Sequence, residues 1–237
     1  MKAIPLLVLA GGFAAFLQVS SAADITGAVT FVGTPPPERP ITPLKEDPTC
    51  GKFYTGMPTT HFFVVGPNKE LADVVVMLKG ISGKSTGASA PAVVIDQKGC
   101  LYEPQIAAIQ TGQKVLIRNS DPVLHNVHTL PAVSGNKEDN QAQMQGAPDI
   151  TISFPAAENF LKFKCDVHPW MFAWVTVVDH PYFAVTGKDG TFKISNVPPG
   201  KYTISALHRK AAPNGVDKNV EVKDGESAKV DFALDLK

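Results

Sequence analysis

The sequence predicts an all-β protein built of sandwiches, and three observations carry that prediction. Short runs rich in Val, Thr and Phe recur along the chain, as half-buried strands require. Between them, 20 Pro and 19 Gly in 237 residues place turns at a density that helices do not tolerate. After about residue 23 no stretch carries the apolar spacing of an amphipathic helix.

The first residues read as an address. Met1 and Lys2 form a short positive end, an apolar run follows from Ile4 to about Val19, and Ser20, Ser21, Ala22 and Ala23 offer small residues for cleavage. A run this short before a polar chain predicts a secretory signal over residues 1–23, not a membrane span. The expected mature chain begins at Ala23 or Asp24 and is periplasmic or secreted. Lys2 leaves with the signal, so 21 basic residues face 22 acidic ones. A near-neutral chain without a basic run gives no electrostatic case for nucleic acid or an anionic membrane.

Ile25 to Val32 alternates and predicts a strand. Thr34 to Pro48 holds six prolines and predicts an extended or polyproline loop. His61 to Val65 is a candidate strand, with His61 as a surface histidine. Leu71 to Leu78, with three consecutive valines, predicts a strand buried on both faces. Gly80 to Ser89 is a Gly/Ser linker.

From Pro91 to Asp179 the pattern is that of a complete small sandwich. Strands are expected at Ala92 to Ile95, Pro104 to Ile109 and Lys114 to Asn119, the last with Val115 and Ile117 inward. Asn119-Ser120-Asp121-Pro122 is a turn by composition, and His125-Asn126-Val127-His128 follows it. On a strand His125 and His128 lie on opposite faces, so only one of them faces a given core site. Pro131 to Pro148 is polar. Ile150 to Phe154, Phe160 to Lys164 and Phe172 to Val178 are the remaining strands. In the last block Val185 to Ile194 predicts a hairpin turning at Asp189-Gly190. Further strands are expected at Lys201 to Ala206, around Val220 and Val222, and from Ala228 to Leu236.

Cys165-Asp166-Val167-His168-Pro169-Trp170-Met171 packs a thiol, an imidazole and a thioether into one turn. Soft sulfur with imidazole suits copper, with Met as a weak axial ligand. The same heptapeptide also fits a structural Cys, a surface His and a core Met. An exported chain permits disulfides, and three cysteines leave one over. Cys50 and Cys100 have no His or Met close by in sequence, so the simplest assignment pairs them and leaves Cys165 for metal. Spacing alone does not fix that connectivity.

Residues from about Pro91 to Asp179 resemble the cupredoxin family, above all its amicyanin-like members. The features that carry the resemblance are the Asn119 to Pro122 turn leading to His125-Asn126-Val127-His128, and the short loop from Cys165 to Met171. It implies a Greek-key sandwich holding one type 1 copper, with His125, Cys165 and His168 as strong ligands and Met171 as the axial one. It further implies that Asn126 braces the ligand loop and that the His168 edge reaches the surface, where Pro169 and Trp170 would meet a redox partner; Trp170 fits equally well as a lid over the copper or packed on the other domain. Asp166 departs from the family, whose members usually have Ser or Thr directly after the Cys or small polar residues nearby, so tuning of the metal does not carry over. His128 is turned away from His125 and is not expected to be a ligand.

Thr186-x-x-Asp189-Gly190-x-Phe192-x-Ile194 followed by Val197-Pro198-Pro199-Gly200-x-Tyr202 resembles a carboxypeptidase regulatory-like domain, a transthyretin-like sandwich with a carbohydrate-binding-like fold. The two resemblances together imply a discontinuous outer sandwich (24–88 and 181–237) interrupted by the cupredoxin domain (89–180). A Cys50–Cys100 bridge would then tie the outer domain to the insert.

No H-E-x-x-H or G-x-S-x-G motif is present. Lys164 and Asp166 flank Cys165, where multicopper enzymes of this fold need histidines. The expectation is therefore not an enzyme but an exported electron carrier serving a dehydrogenase or a c-type cytochrome. The alternative is a module binding carbohydrate or protein, with a structural or copper-handling metal site.

Overall fold

In this computed structural model residues 21–235 are described, and they form seventeen strands and one α-helix. The strands are β1 (Ala23–Phe31), β2 (Val75–Lys79), β3 (Val93–Lys98), β4 (Leu101–Glu103), β5 (Ile106–Gln110) and β6 (Val115–Asn119). β7 (His125–Leu130), β8 (Asp139–Gln143), β9 (Ile150–Ile152), β10 (Glu158–Lys164) and β11 (Phe172–Val178) follow. The last part contributes β12 (Phe183–Val185), β13 (Thr191–Val197), β14 (Gly200–His208), β15 (Ala212–Val222), β16 (Ala228–Lys229) and β17 (Phe232–Leu234). The all-β prediction holds.

Two sheets, in strand orders β4-β3-β6-β9 and β5-β11-β10-β7-β8, share one core. Inward residues alternate as the pleat demands: on β6 Val115 and Ile117 are buried while Arg118 is exposed. Val127, Leu161, Phe163, Ala173 and Val175 meet them from the other sheet. Each such large side chain contributes roughly 1.5–3 kcal/mol on burial, which is what holds the ligand-bearing strands in place.

The second core lies between β12-β2-β14-β15 and a sheet in which β13 and β16 flank β1, with β17 also pairing β1. It draws on both ends of the described chain, from Val29 and Phe31 to Phe232 and Leu234. A small cluster of Val75, Ile106, Trp174 and Leu207 joins the cores where β2 and β14 face β5 and β11.

Several expectations change. Thr34 to Pro48 is not wholly extended, because α1 (Thr42–Glu46) forms within it. Pro43 sits in the first turn, where a missing N–H costs nothing, and Leu44 anchors the helix in the first core. The strand expected from Leu71 starts only at Val75, since Asp73 takes a left-handed φ of 61° that ends strand geometry. His61 to Val65 forms no strand beyond a Val65–Leu71 bridge. The polar segment 131–148 contains β8, an edge strand without an apolar pattern.

The hairpin expected at Asp189-Gly190 is also absent. Gly190 (φ 70°) carries the chain past the Val29 backbone, from β12 in one sheet to β13 in the other. The signal segment lies outside the described residues except for Ser21 to Ala23, and Ala23 already belongs to β1. Among the described residues no helix is long and apolar enough to cross a membrane.

Cys50 and Cys100 are joined in a disulfide with an S–S distance of 2.02 Å. Both sulfurs belong to the first core, together with Ile41 and Leu44. The expected tie between two domains is thus a tie within one core. It pins the segment carrying α1 onto the β3–β4 turn.

Candidate metal centre

β7 and β10 are antiparallel neighbours, and β10 pairs in turn with β11. His125 opens β7, and Cys165 follows directly on β10. The loop from Cys165 to Met171 closes on itself: the Cys165 N–H donates to the Met171 carbonyl (3.1 Å) and the Met171 N–H to the His168 carbonyl (2.9 Å). This short return brings His168 back over the end of β7. Before β7, Asn119 donates to the carbonyls of Val123 (2.8 Å) and Gln143 (2.9 Å) and fixes the turn that launches His125.

His125 Nδ1 and His168 Nδ1 are 3.0 Å apart, and Cys165 Sγ is 3.8 Å from His168 Nδ1. All three residues are buried. The outward nitrogen of His125 assigns its tautomer. His125 Nε2–H donates to Asp121 Oδ2 at 2.9 Å. His168 Nε2 lies 3.6 Å from Cys50 Sγ, and a disulfide sulfur has no proton to give. His125 therefore carries its proton on Nε2 and directs an Nδ1 lone pair at His168 Nδ1. The convergence of two imidazole nitrogens and a cysteine sulfur in one buried place fits a soft metal ion, for which bonds of about 2.0–2.3 Å are usual with such ligands.

The thiol is prepared for that role. Burial pushes Cys165 up, but the neighbouring His125 and His168 rings and the backbone N–H groups of Asn126 and His168 outweigh it and bring the group down to about 6. Burial likewise opposes the charged form of His125, yet Asp121 and the Cys165 sulfur raise it above the ordinary imidazole range. Asp121 is pushed up by burial and pulled below the usual carboxylate range by His125 and by two backbone N–H groups.

The sequence-based candidates are placed as follows. Asn126 lies against the ligand loop, its Oδ1 accepting from Asp166 N–H (2.7 Å), Val167 N–H (3.4 Å) and the Cys165 thiol (3.2 Å). Met171 is fully buried in the same core. Asp166 turns outward and binds Lys164 Nζ (2.6 Å), His128 Nδ1 (2.9 Å) and Asn140 Nδ2 (2.9 Å), with Lys164 chiefly holding it well below the usual carboxylate range. His128 is in that outer network, its Nε2 2.6 Å from Glu138, away from the His125 ring. Pro169 is exposed and Trp170 half-buried, with Trp170 Nε1–H donating to the Cys100 carbonyl at 3.0 Å.

The resemblance implied that the His168 edge reaches the surface; in the structure little of the ring is accessible. His168 is 8% exposed, and its outer nitrogen meets the disulfide.

Three contributors escaped the sequence. Asp121 had a signal, a carboxylate four residues ahead of a candidate ligand histidine. Tyr102 had none: its buried hydroxyl donates to the carbonyls of Asn126 (2.6 Å) and Lys164 (3.2 Å), bridging the strands that carry His125 and Cys165. Cys50 reaches His168 across 118 residues of sequence, a contact only folding reveals.

No protein-family model matches the chain, and no curated protein matches it. Among solved structures, the Cu-containing nitrite reductase of Thermus scotoductus SA-01 is 19% identical, with a TM-score of 0.34 over 38% of this chain. The chain spans 23% of that enzyme's length. An amicyanin mutant in its Cu(I) form is 23% identical, with a TM-score of 0.32, over 43% of this chain and 97% of amicyanin. A reduced form of another amicyanin mutant is 24% identical over the same shares, again with a TM-score of 0.32.

Proposed function

We propose that the chain holds one type 1 copper and serves as an exported electron carrier. His125, Cys165 and His168 are the strong ligands in this reading, and Met171 is the weak axial one. The observation that carries it is the buried convergence of the His125 and His168 Nδ1 atoms beside the Cys165 sulfur, with the outward nitrogen of His125 held by Asp121 and that of His168 against the disulfide. Bound copper supplies one-electron chemistry. Everything else falls to the chain: the two β-sheets and Tyr102 fix the ligand spacing, Asn126 holds the loop backbone, and burial excludes water. A site whose ligands are fixed before the metal enters changes little between oxidation states, and that favours fast electron transfer.

The cupredoxin-like unit (89–180) is read here as set within a second, regulatory-like sandwich of the two chain ends. The partner, a dehydrogenase or c-type cytochrome, would dock on the ligand loop, where Val167 and Pro169 are exposed beside half-buried Trp170.

Copper titration of the chain tests the reading. One equivalent should produce an intense visible thiolate-to-copper band that bleaches reversibly on reduction, and Cys165→Ala should remove it. A colourless complex, or a preference for Zn(II), would overturn the assignment.

A further inference from the structure

The outward nitrogens of both imidazoles end on one feature, the disulfide and the turn that carries it. Gly99 and Cys100 form the two-residue turn between β3 and β4, both with positive φ (63° and 56°). Cys100 adopts this conformation without a glycine's freedom, so its surroundings must hold it there. They do so at every backbone polar group. The Gly99 and Cys100 N–H groups donate to Asp121 Oδ1 and Oδ2, both at 2.7 Å. The Gly99 carbonyl accepts from Tyr54 Oη (2.7 Å) and the Cys100 carbonyl from Trp170 Nε1 (3.0 Å).

His125 thus reaches the turn through Asp121, and His168 reaches it directly at Cys50 Sγ. Both cysteines are 0% exposed.

We propose that the Cys50–Cys100 disulfide is a positioning lid on the metal centre. It orients both imidazoles by their outer nitrogens and covers most of the His168 edge, so that metal and small ligands pass this edge only when the Cys50 segment and the turn bonded to it lift together. The proposal rests on the copper reading for what the lid covers, but not for whether His168 is covered.

The test is carbethoxylation of the metal-free full chain by diethyl pyrocarbonate, followed by peptide mass spectrometry. Exposed His61 is the internal standard and should react in every sample. In the native chain His168 should stay unmodified, and in the Cys50→Ala/Cys100→Ala pair it should react about tenfold faster or more, as local opening replaces a fixed cover. If the pair does not fold, Tyr54→Phe leaves the disulfide intact, frees the Gly99 carbonyl and should give a smaller increase of about threefold.

A second arm follows removal of Cu(I) from the loaded protein by an external chelator, with the same order of rates expected. Equal His168 reactivity with and without the disulfide overturns the lid, even if the blue band forms. Protected His168 in a chain that binds no copper leaves the lid standing and removes the copper reading.

Discussion

Asp121 accepts hydrogen bonds from His125 and from two turn amides, and one of them decides a tautomer. With Nε2–H committed to the carboxylate, His125 can only offer Nδ1 to the metal. Removing such a partner frees the ring to rotate and lowers its basicity. Asp121→Ala is therefore expected to weaken copper binding by about 10–100-fold, read by competition with a chelator of known affinity. Unchanged affinity would show that the ring is held by packing alone. At this scale the strong candidates were legible, since Cys165 and His168 sit in one turn and His125 follows a recognisable one. What sequence could not show is direction. Alternation placed His128 away from His125, which the structure bears out, but it could not foresee that Asp166 and Glu138 would take up His128 instead.

Between elements, the centre depends on strands that are neighbours in space and distant in sequence. Tyr102, on β4, donates one buried hydroxyl to carbonyls of β7 and of the residue ahead of Cys165. Burial pushes its pKa far up, so it stays a donor at any ordinary pH. Tyr102→Phe removes the single phenolic proton the two carbonyls share, leaves the buried Asn126 carbonyl short of this donor, and should cost about 1–2 kcal/mol in urea unfolding, with the denaturant slope unchanged. A loss near zero would mean that water or a backbone shift satisfies both groups.

Strands β6, β10 and β11 were legible because alternation and turn residues agree there. β8 was not, because an edge strand that buries little but Gln143 carries no apolar period. The Asp189-Gly190 turn misled for a related reason: turn chemistry is the same whether the chain returns to its own sheet or crosses to another.

Across the molecule, the two cores meet at a seam of apolar side chains, and charge is held at its edge. The Arg209 guanidinium lies 3.5 Å from the Trp174 ring centroid, and burial lowers its pKa to about 10. Next to it, His208 is 2% exposed and stacks on Phe63 with centroids 5.3 Å apart. Its Nδ1 accepts from the N–H groups of Lys210 (3.3 Å) and Ala211 (3.1 Å), so that nitrogen cannot carry a proton without losing both. Burial first, then the Arg209 charge, brings the pKa down to about 4 against an ordinary 6.5, while Glu38 pulls weakly the other way.

The unfolded chain therefore binds a proton at His208 that the folded chain refuses. Stability from this group is full above about pH 6.5 and drains away as pH falls toward 4. Between pH 7 and 4.5 the loss should be about 2–3 kcal/mol. Because paired carboxylates lose stability in the same acid range, the measurement is a difference. Urea unfolding of the native chain and of His208→Asn, which keeps an acceptor near the Nδ1 position, should diverge below pH 6.5, with the native chain falling faster. Parallel curves would place the acid sensitivity of the seam elsewhere than on this imidazole.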